Sequence, residues 1–322
     1  MPTLPLPTAI DHVAGVFVAA GVSQSNALSV ARALIAAEAD GLKGHGLSRV
    51  PTYLAMVRTG KIDGKATPKA TQPRPSVLAI DARDGFAYPA IDLALERLPD
   101  IARAQGIAIA PVRNSNHCGA AGLHVEKLAD AGLVGLLFAN TPGAMAPWGG
   151  SKPVFGTNPI AFAAPLEGRP PVVIDMALSK VARGPIVAAR QKGEPIPEGW
   201  ALDVDGKPTT DPAKAIAGTM VPLGDAKGAT LAMMVEILAA ALVGAHFAYE
   251  ASSFLDGEGG PPKTGQLIMA IDPSAMGGTW FAERMTSLAA AIETQPGARL
   301  PGARRMALRM KAAQDGVSIA DF

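Results

Sequence analysis

The chain is short of cysteine: Cys118 is the only one in 322 residues. One thiol forms no intramolecular disulfide and no multi-cysteine zinc site. No metal ion is therefore expected, and a reducing, cytoplasmic setting is the simple reading. Charge of one sign is missing as well. Twenty-nine Lys and Arg balance 28 Asp and Glu, a net charge of +1, so the basic footprint of a nucleic-acid binder is not there. No block of like charges suggests an interaction tail. No apolar run is long enough for a membrane span. The most apolar stretch, "LAMMVEILAAALV" (231–243), is interrupted by Glu236 and reads as a buried helix. The opening "MPTLPLPTAIDH" has early prolines and no basic region before an apolar run, so no signal peptide is expected. Also missing are G-x-G-x-x-G, the Walker A loop, G-x-S-x-G and H-E-x-x-H. No internal repeat is visible.

What is present is a chain 48% hydrophobic, ample for one large or two medium domains. Ile10, Val13, Phe17 and Ala20 recur at helical spacing up to Gly21. A second helix, opened by Ser23 or Ser25, runs to Gly41, and a third over 49–62 opens at Pro51. From about residue 77 short apolar runs broken by Gly and Pro read as strands at 76–82, 106–113, 134–140, 159–165, 171–177 and 265–272. Helices are expected at 87–105, 119–131 and 228–245, turns over 191–224, and helix again through the last 40 residues. The pattern is α/β.

Six places carry residues suited to chemistry. "KGHGLSR" sets His45 between two glycines with Arg49 four residues on, an acid–base group and an anion clamp or simply a turn. "RNSNHCGAAG" puts His117 after a strand, where small residues open a helix whose N–H groups suit a phosphate or carboxylate. Its plainer reading is a loop histidine. Cys118 beside it is more simply a small buried residue than a nucleophile. In "FGTNPIAF" Thr157 offers a hydroxyl to a carboxylate, or only holds a turn. "VIDMALSKVARG" ends a strand in Asp175, which fits a ribose hydroxyl or a helix N-cap equally. Lys227 at a glycine-rich helix start and the arginines of "RLPGARR" are further anion sites, or solvated surface.

These segments stand in order from about residue 8 to 315, together with "GDAKGATLAMM" and "GQLIMAIDP". The chain thereby resembles the type-2 malate/L-lactate dehydrogenase family. Its C-terminal "RLPGARR" looks most like the branch that reduces Δ1-pyrroline-2-carboxylate and Δ1-piperideine-2-carboxylate. The resemblance implies an α/β fold whose cofactor domain is a non-Rossmann, mixed, largely antiparallel sheet, joined to a helical domain built from both chain ends. The boundaries expected are 1–75, 76–285 and 286–322. It implies a homodimer and reduction of a cyclic ketimine by NADPH, with NADH as the other option. His45 would be proton donor, and Arg49 and Thr157 would bind substrate. His117, Cys118, Gly119, Ala120, Ala121, Asp175, Met176, Ala177, Arg183, Gly184, Lys227, Arg299, Arg304 and Arg305 would bind the dinucleotide. In the hydroxyacid branches His117 is the proton acceptor, so a 2-hydroxyacid dehydrogenase is the rival reading. A silent nucleotide- or anion-binding protein is the other rival. It draws on Gly44, which stands where the family usually has serine and which widens the pocket.

Overall fold

A computed structural model describes residues 2–319. Two helices, α1 (Leu6–Ala19) and α2 (Gln24–Ala39), open the chain. The Ser23 hydroxyl caps α2 by accepting the Asn26 N–H at 3.4 Å. Two single 3₁₀ turns, Lys43–His45 and Leu47–Arg49, then lead into α3 (Val50–Arg58), shorter than expected.

The centre is a seven-stranded sheet. In spatial order its strands are Lys69–Arg74, Val77–Asp81, Ile107–Ser115, Thr264–Ile271, Val134–Ala139, Ile160–Leu166 and Arg169–Met176. Only the Val77–Asp81 and Ile107–Ser115 pair is parallel. A parallel pair needs a crossover, and α4 (Ala87–Gln105) supplies it. Lys69–Arg74 was not expected as a strand. It is a polar edge strand holding Pro73, so it shows no apolar alternation.

Helices cover both sheet faces. On one face α4 and α5 (Ala121–Asp130) pack Ile91, Leu98 and Val125 against Leu78, Val112, Leu137 and Ile268. On the other, α6 (Arg183–Lys192), α7 (Pro212–Ala217) and α8 (Ala226–Glu236) bring Ile186, Ala215 and Val235 onto Phe138 and Leu267. Gly184-Pro185 hides the start of α6, since proline inside a first turn is compatible with helix but reads as a breaker. A third core joins the chain ends. Phe17, Leu34, Tyr53 and Met56 pack with Phe86, Tyr88, Phe254, Ala312 and Val317. Strand Thr3–Leu4 pairs with Val317–Ser318, and α9 (Phe281–Glu293) and α10 (Ala303–Asp315) precede it. Residues 320–322 of the expected C-terminal segment lie outside the described residues.

The 231–243 run is buried on one face only. Ala232, Val235, Ala239 and Ala240 are inside, whereas Leu231, Met234, Ile237 and Leu242 face outward, Leu242 at 64% exposure. Its last turn, Ile237–Ala241, is a π-helix. Among the described residues no helix is long and apolar enough to cross a membrane.

Candidate active site

The register of the sheet gathers the chemistry-bearing segments at one end. Residues 116–118 follow the Ile107–Ser115 strand, and 140–141 follow Val134–Ala139. Thr157 and Asn158 precede Ile160–Leu166, and Asp175 and Met176 end Arg169–Met176. The pairings Gln266↔Val112, Gln266↔Ala139, Phe138↔Ile160 and Ile160↔Met176 put these ends side by side. The 115–118 turn is held from several directions. Asn116 Oδ1 accepts the His117 N–H at 2.7 Å, Gln266 Nε2 donates to the Asn116 carbonyl, and His124 Nε2 donates to the Cys118 carbonyl.

The "KGHGLSR" turn packs its histidine onto this turn. The rings of His45 and His117 stack at 5.3 Å between centroids and 13° between planes. Phe254 meets His117 edge-on at 5.4 Å. Arg49 is held beside them. Its Nε donates to the Gly44 carbonyl at 2.7 Å and its Nη1 to the Phe254 carbonyl at 3.3 Å. Nη2 and a second N–H of Nη1 stay free, an end-on grip for a carboxylate. A side chain at Gly44 would meet nothing within 4 Å, so there is open space in front of the turn. The segment carrying Phe254 is fastened by Lys61, whose fully buried ammonium donates to the carbonyls of Asp256 and Glu258.

Burial and the nearby guanidinium set the protonation states. Burial, then Arg49, lowers His45 from 6.5 to about 4. The same causes put His117 well below its ordinary value. Both imidazoles are therefore neutral at pH 7 in the free protein. His45 Nδ1 is buried without a partner, the kind of orphaned polar atom that marks a site awaiting a ligand. Cys118 is 4% exposed and burial raises its thiol to about 12, so it is no nucleophile at neutral pH.

The expected dinucleotide residues divide. The start of α5 is not an empty anion cradle, because Asp175 Oδ2 accepts the Gly122 N–H at 2.7 Å. Asp175 is thus a helix cap reached through space. Ala120 and Ala121 are buried, and Gly119, at φ +69°, lies against the Tyr88 hydroxyl. Thr157 shares its hydroxyl with Thr141 at 3.3 Å and accepts the Leu178 N–H, which binds the 176–178 segment to it. Lys180 and Leu223 N–H groups cross-link that segment to the one leading into α8, where Lys227 stands exposed. Arg183 donates to the Ile216 carbonyl, and Gly184 beside it is open. Arg305 is committed elsewhere. With Arg309 it pairs with buried Asp40 and with Glu126, tying α10 to α2 and α5. Arg299 and Arg304 are exposed and make no ion pair among the described residues. No contact there joins Arg183, Lys227, Arg299 or Arg304 to the histidines. No metal-binding cluster occurs among the described residues.

Sequence reading missed Tyr53, Tyr88, Phe254, Lys61 and Glu236 as parts of the site. Only Glu236 left a signal, as the one charge in an apolar run. It accepts from Asn158 Nδ2 at 2.8 Å, Asn140 Nδ2 and the Ala248 N–H, so it fixes the loops at this end of the sheet.

Two neutral histidines stacked beside a half-free arginine are groups that can move a proton and hold a small carboxylate, the kind of set an enzyme uses. The sequence comparisons give the family. The malate/L-lactate dehydrogenase profile matches residues 5–322, and the chain belongs to that family of oxidoreductases. It is 53% identical to the (2R)-3-sulfolactate dehydrogenase (NADP(+)) of Chromohalobacter salexigens, over 90% of this chain and 87% of that one. It is 42% identical to a Delta(1)-pyrroline-2-carboxylate/Delta(1)-piperideine-2-carboxylate reductase of Pseudomonas putida, over 94% and 89%. The crystal structure of the delta1-piperideine-2-carboxylate reductase of Pseudomonas syringae pv. tomato superposes with a TM-score of 0.94. It is 38% identical, over 99% of this chain and 97% of that one.

Proposed function

We propose that the chain is an NADPH-dependent reductase acting on the carbon next to a carboxylate, with a cyclic ketimine carboxylate as substrate. The observation that carries this is the His45–His117 stack with Arg49 beside it. Arg49 is the guanidinium whose charge depresses both histidines, and its free N–H groups match the carboxylate of such a substrate. Similarity to the pyrroline- and piperideine-2-carboxylate reductases supports the ring.

The free N–H groups of Arg49 hold the carboxylate and so fix the neighbouring C=N bond in front of the two imidazoles. That carboxylate also offsets the guanidinium charge, one of the two causes that lower His45. The bound substrate therefore raises the basicity of His45 and lets it carry the proton destined for the ring nitrogen. Residues along the other side of the sheet end fit a phosphorylated dinucleotide. Arg183 has a single carbonyl partner, Lys227 is exposed at the start of α8, and Arg304 is unpaired. When bound, NADPH supplies the hydride. Thr157 would contact the substrate, the 176–178 backbone would orient the dinucleotide, and Arg183, Lys227 and Arg304 would take its phosphates. The dinucleotide would then belong to the 76–285 body and the proton chemistry to 1–75, against which Ala312, Val317 and Ile319 of the C-terminal segment pack. The outward apolar face of Leu231, Met234, Ile237 and Leu242 supports a homodimer. A cytoplasmic enzyme fits the lone thiol.

The similarity to the sulfolactate dehydrogenase favours a second reading, reduction of a 2-oxo acid bearing a sulfonate. One panel separates them. Loss of NADPH absorbance is followed with Δ1-pyrroline-2-carboxylate, Δ1-piperideine-2-carboxylate, 3-sulfopyruvate, pyruvate and oxaloacetate. Turnover of the cyclic imines supports the first reading. Turnover of 3-sulfopyruvate alone replaces it with the second, and silence across the panel removes both.

A further inference from the structure

Two of the chain's three tyrosines stand in a line behind His117. The Tyr53 hydroxyl lies 2.6 Å from His117 Nδ1 and 2.9 Å from the Tyr88 hydroxyl. Tyr53 and Tyr88 are 1% and 2% exposed, so this row of polar atoms is sealed from water. Burial raises Tyr53 to about 12 and Tyr88 well above its ordinary value, so both keep their O–H protons. The row can be wired in two directions. In one, Tyr88 donates to Tyr53, and Tyr53 donates to an unprotonated Nδ1. In the other, Nδ1–H donates to Tyr53, Tyr53 donates to Tyr88, and the Tyr88 proton needs a further acceptor. None exists among the described residues, and the backbone of Gly119 closes against that hydroxyl. The second direction strands the sealed Tyr88 O–H, whereas the first leaves unpartnered only the Nε2–H of His117, an atom that is not sealed from solvent.

We propose that Tyr53, held in turn by Tyr88, is a positioning residue that keeps His117 in the Nε2–H tautomer, so that His117 meets the substrate as a hydrogen-bond donor and not as a base. Nε2 is the ring nitrogen that no protein group engages among the described residues, and it belongs to the ring stacked on His45. The two histidines then divide the work. His117 donates to a carboxylate oxygen of the substrate, and His45 is left to move the proton to the ring nitrogen. The tautomer is a property of the protein alone. Its catalytic consequence rests on the function proposed above.

The test is nitrogen-15 NMR of histidine-labelled protein near pH 7, with the His117 signals assigned by their loss in His117→Gln. The expected spectrum shows a proton on Nε2 and a bare, hydrogen-bonded Nδ1. A proton on Nδ1 overturns the proposal. In Tyr53→Phe the Nδ1 resonance should move as its hydrogen bond is lost. Turnover should fall about tenfold, the scale of one lost hydrogen bond, with KM for NADPH unchanged. Tyr88→Phe should act in the same sense and more weakly. A Tyr53→Phe protein with unmoved Nδ1 and unchanged kcat also overturns the proposal. If Tyr53→Phe does not fold, the wild-type spectrum and Tyr88→Phe still decide it. An Nε2–H spectrum in a protein that reduces none of the panel substrates leaves the tautomer standing and removes the proposed function.

Discussion

The two halves of the sheet end are built in opposite ways. Around His117 the groups are packed and mostly fastened: tyrosines behind it, His45 on its face, Phe254 at its edge, Lys61 holding the Phe254 segment, with His45 Nδ1 left without a partner. Along the 176–183 and 221–227 segments the cations stand in water or hold one carbonyl. Proton transfer demands fixed geometry and a dry setting, in which a charge or a hydrogen bond counts for more. Phosphates need cations that are free to engage. The first half is therefore prebuilt, and the second is left open.

The largest expected effect sharpens that contrast. His45→Asn should lower kcat by about 10²–10⁴-fold with KM for NADPH nearly unchanged, checked by steady-state kinetics. Arg49→Lys comes next, because a point charge cannot reproduce the end-on grip. A rise in substrate KM of about tenfold or more is expected. Arg305 and Arg304 separate structure from phosphate binding. Arg305→Gln breaks a buried ion cluster and should destabilise by about 3 kcal/mol, read by denaturant unfolding. Arg304→Gln should leave stability alone and weaken NADPH relative to NADH. The reverse pattern would reassign the two. Acid should weaken the packed half first. His45 and His124 sit at about 4 in the fold and near 6.5 unfolded. Between those values the unfolded chain binds more protons, so Tm should fall as pH drops from about 6.5 to about 4. Gly44→Ser should have the smallest effect on stability, since its side chain enters open space.

The same contrast explains what the sequence could disclose. Helices and strands with apolar periodicity were legible, and so were His45, Arg49 and His117, which stand in glycine-rich turns. The edge strand with Pro73 and the helix opening at Arg183-Gly184-Pro185 carry no such period. Tyr53 and Tyr88 carry no signal in the sequence, because the Tyr53 hydroxyl reaches His117, and the Tyr88 hydroxyl reaches Tyr53, only after α3, α4 and the 115–118 turn converge. Asp175 had two readings, ribose contact or cap, and its hydrogen bond with the Gly122 N–H shows one carboxylate oxygen capping a helix 53 residues earlier, a partner that no local pattern could disclose. Arg305 looked equivalent to Arg304. Only the position of α10 shows that buried Asp40 and Glu126 hold the first and not the second.

The most direct test of the account is the pH dependence of kcat/KM and kcat for the accepted substrate, in wild type and in Arg49→Gln, which removes the charge. The first parameter reports the free enzyme and the second the substrate complex. The account predicts an ionisation near pH 4 in kcat/KM that moves upward in kcat, as the carboxylate cancels the Arg49 charge beside His45. The same ionisation in both profiles, indifferent to Arg49, would contradict it.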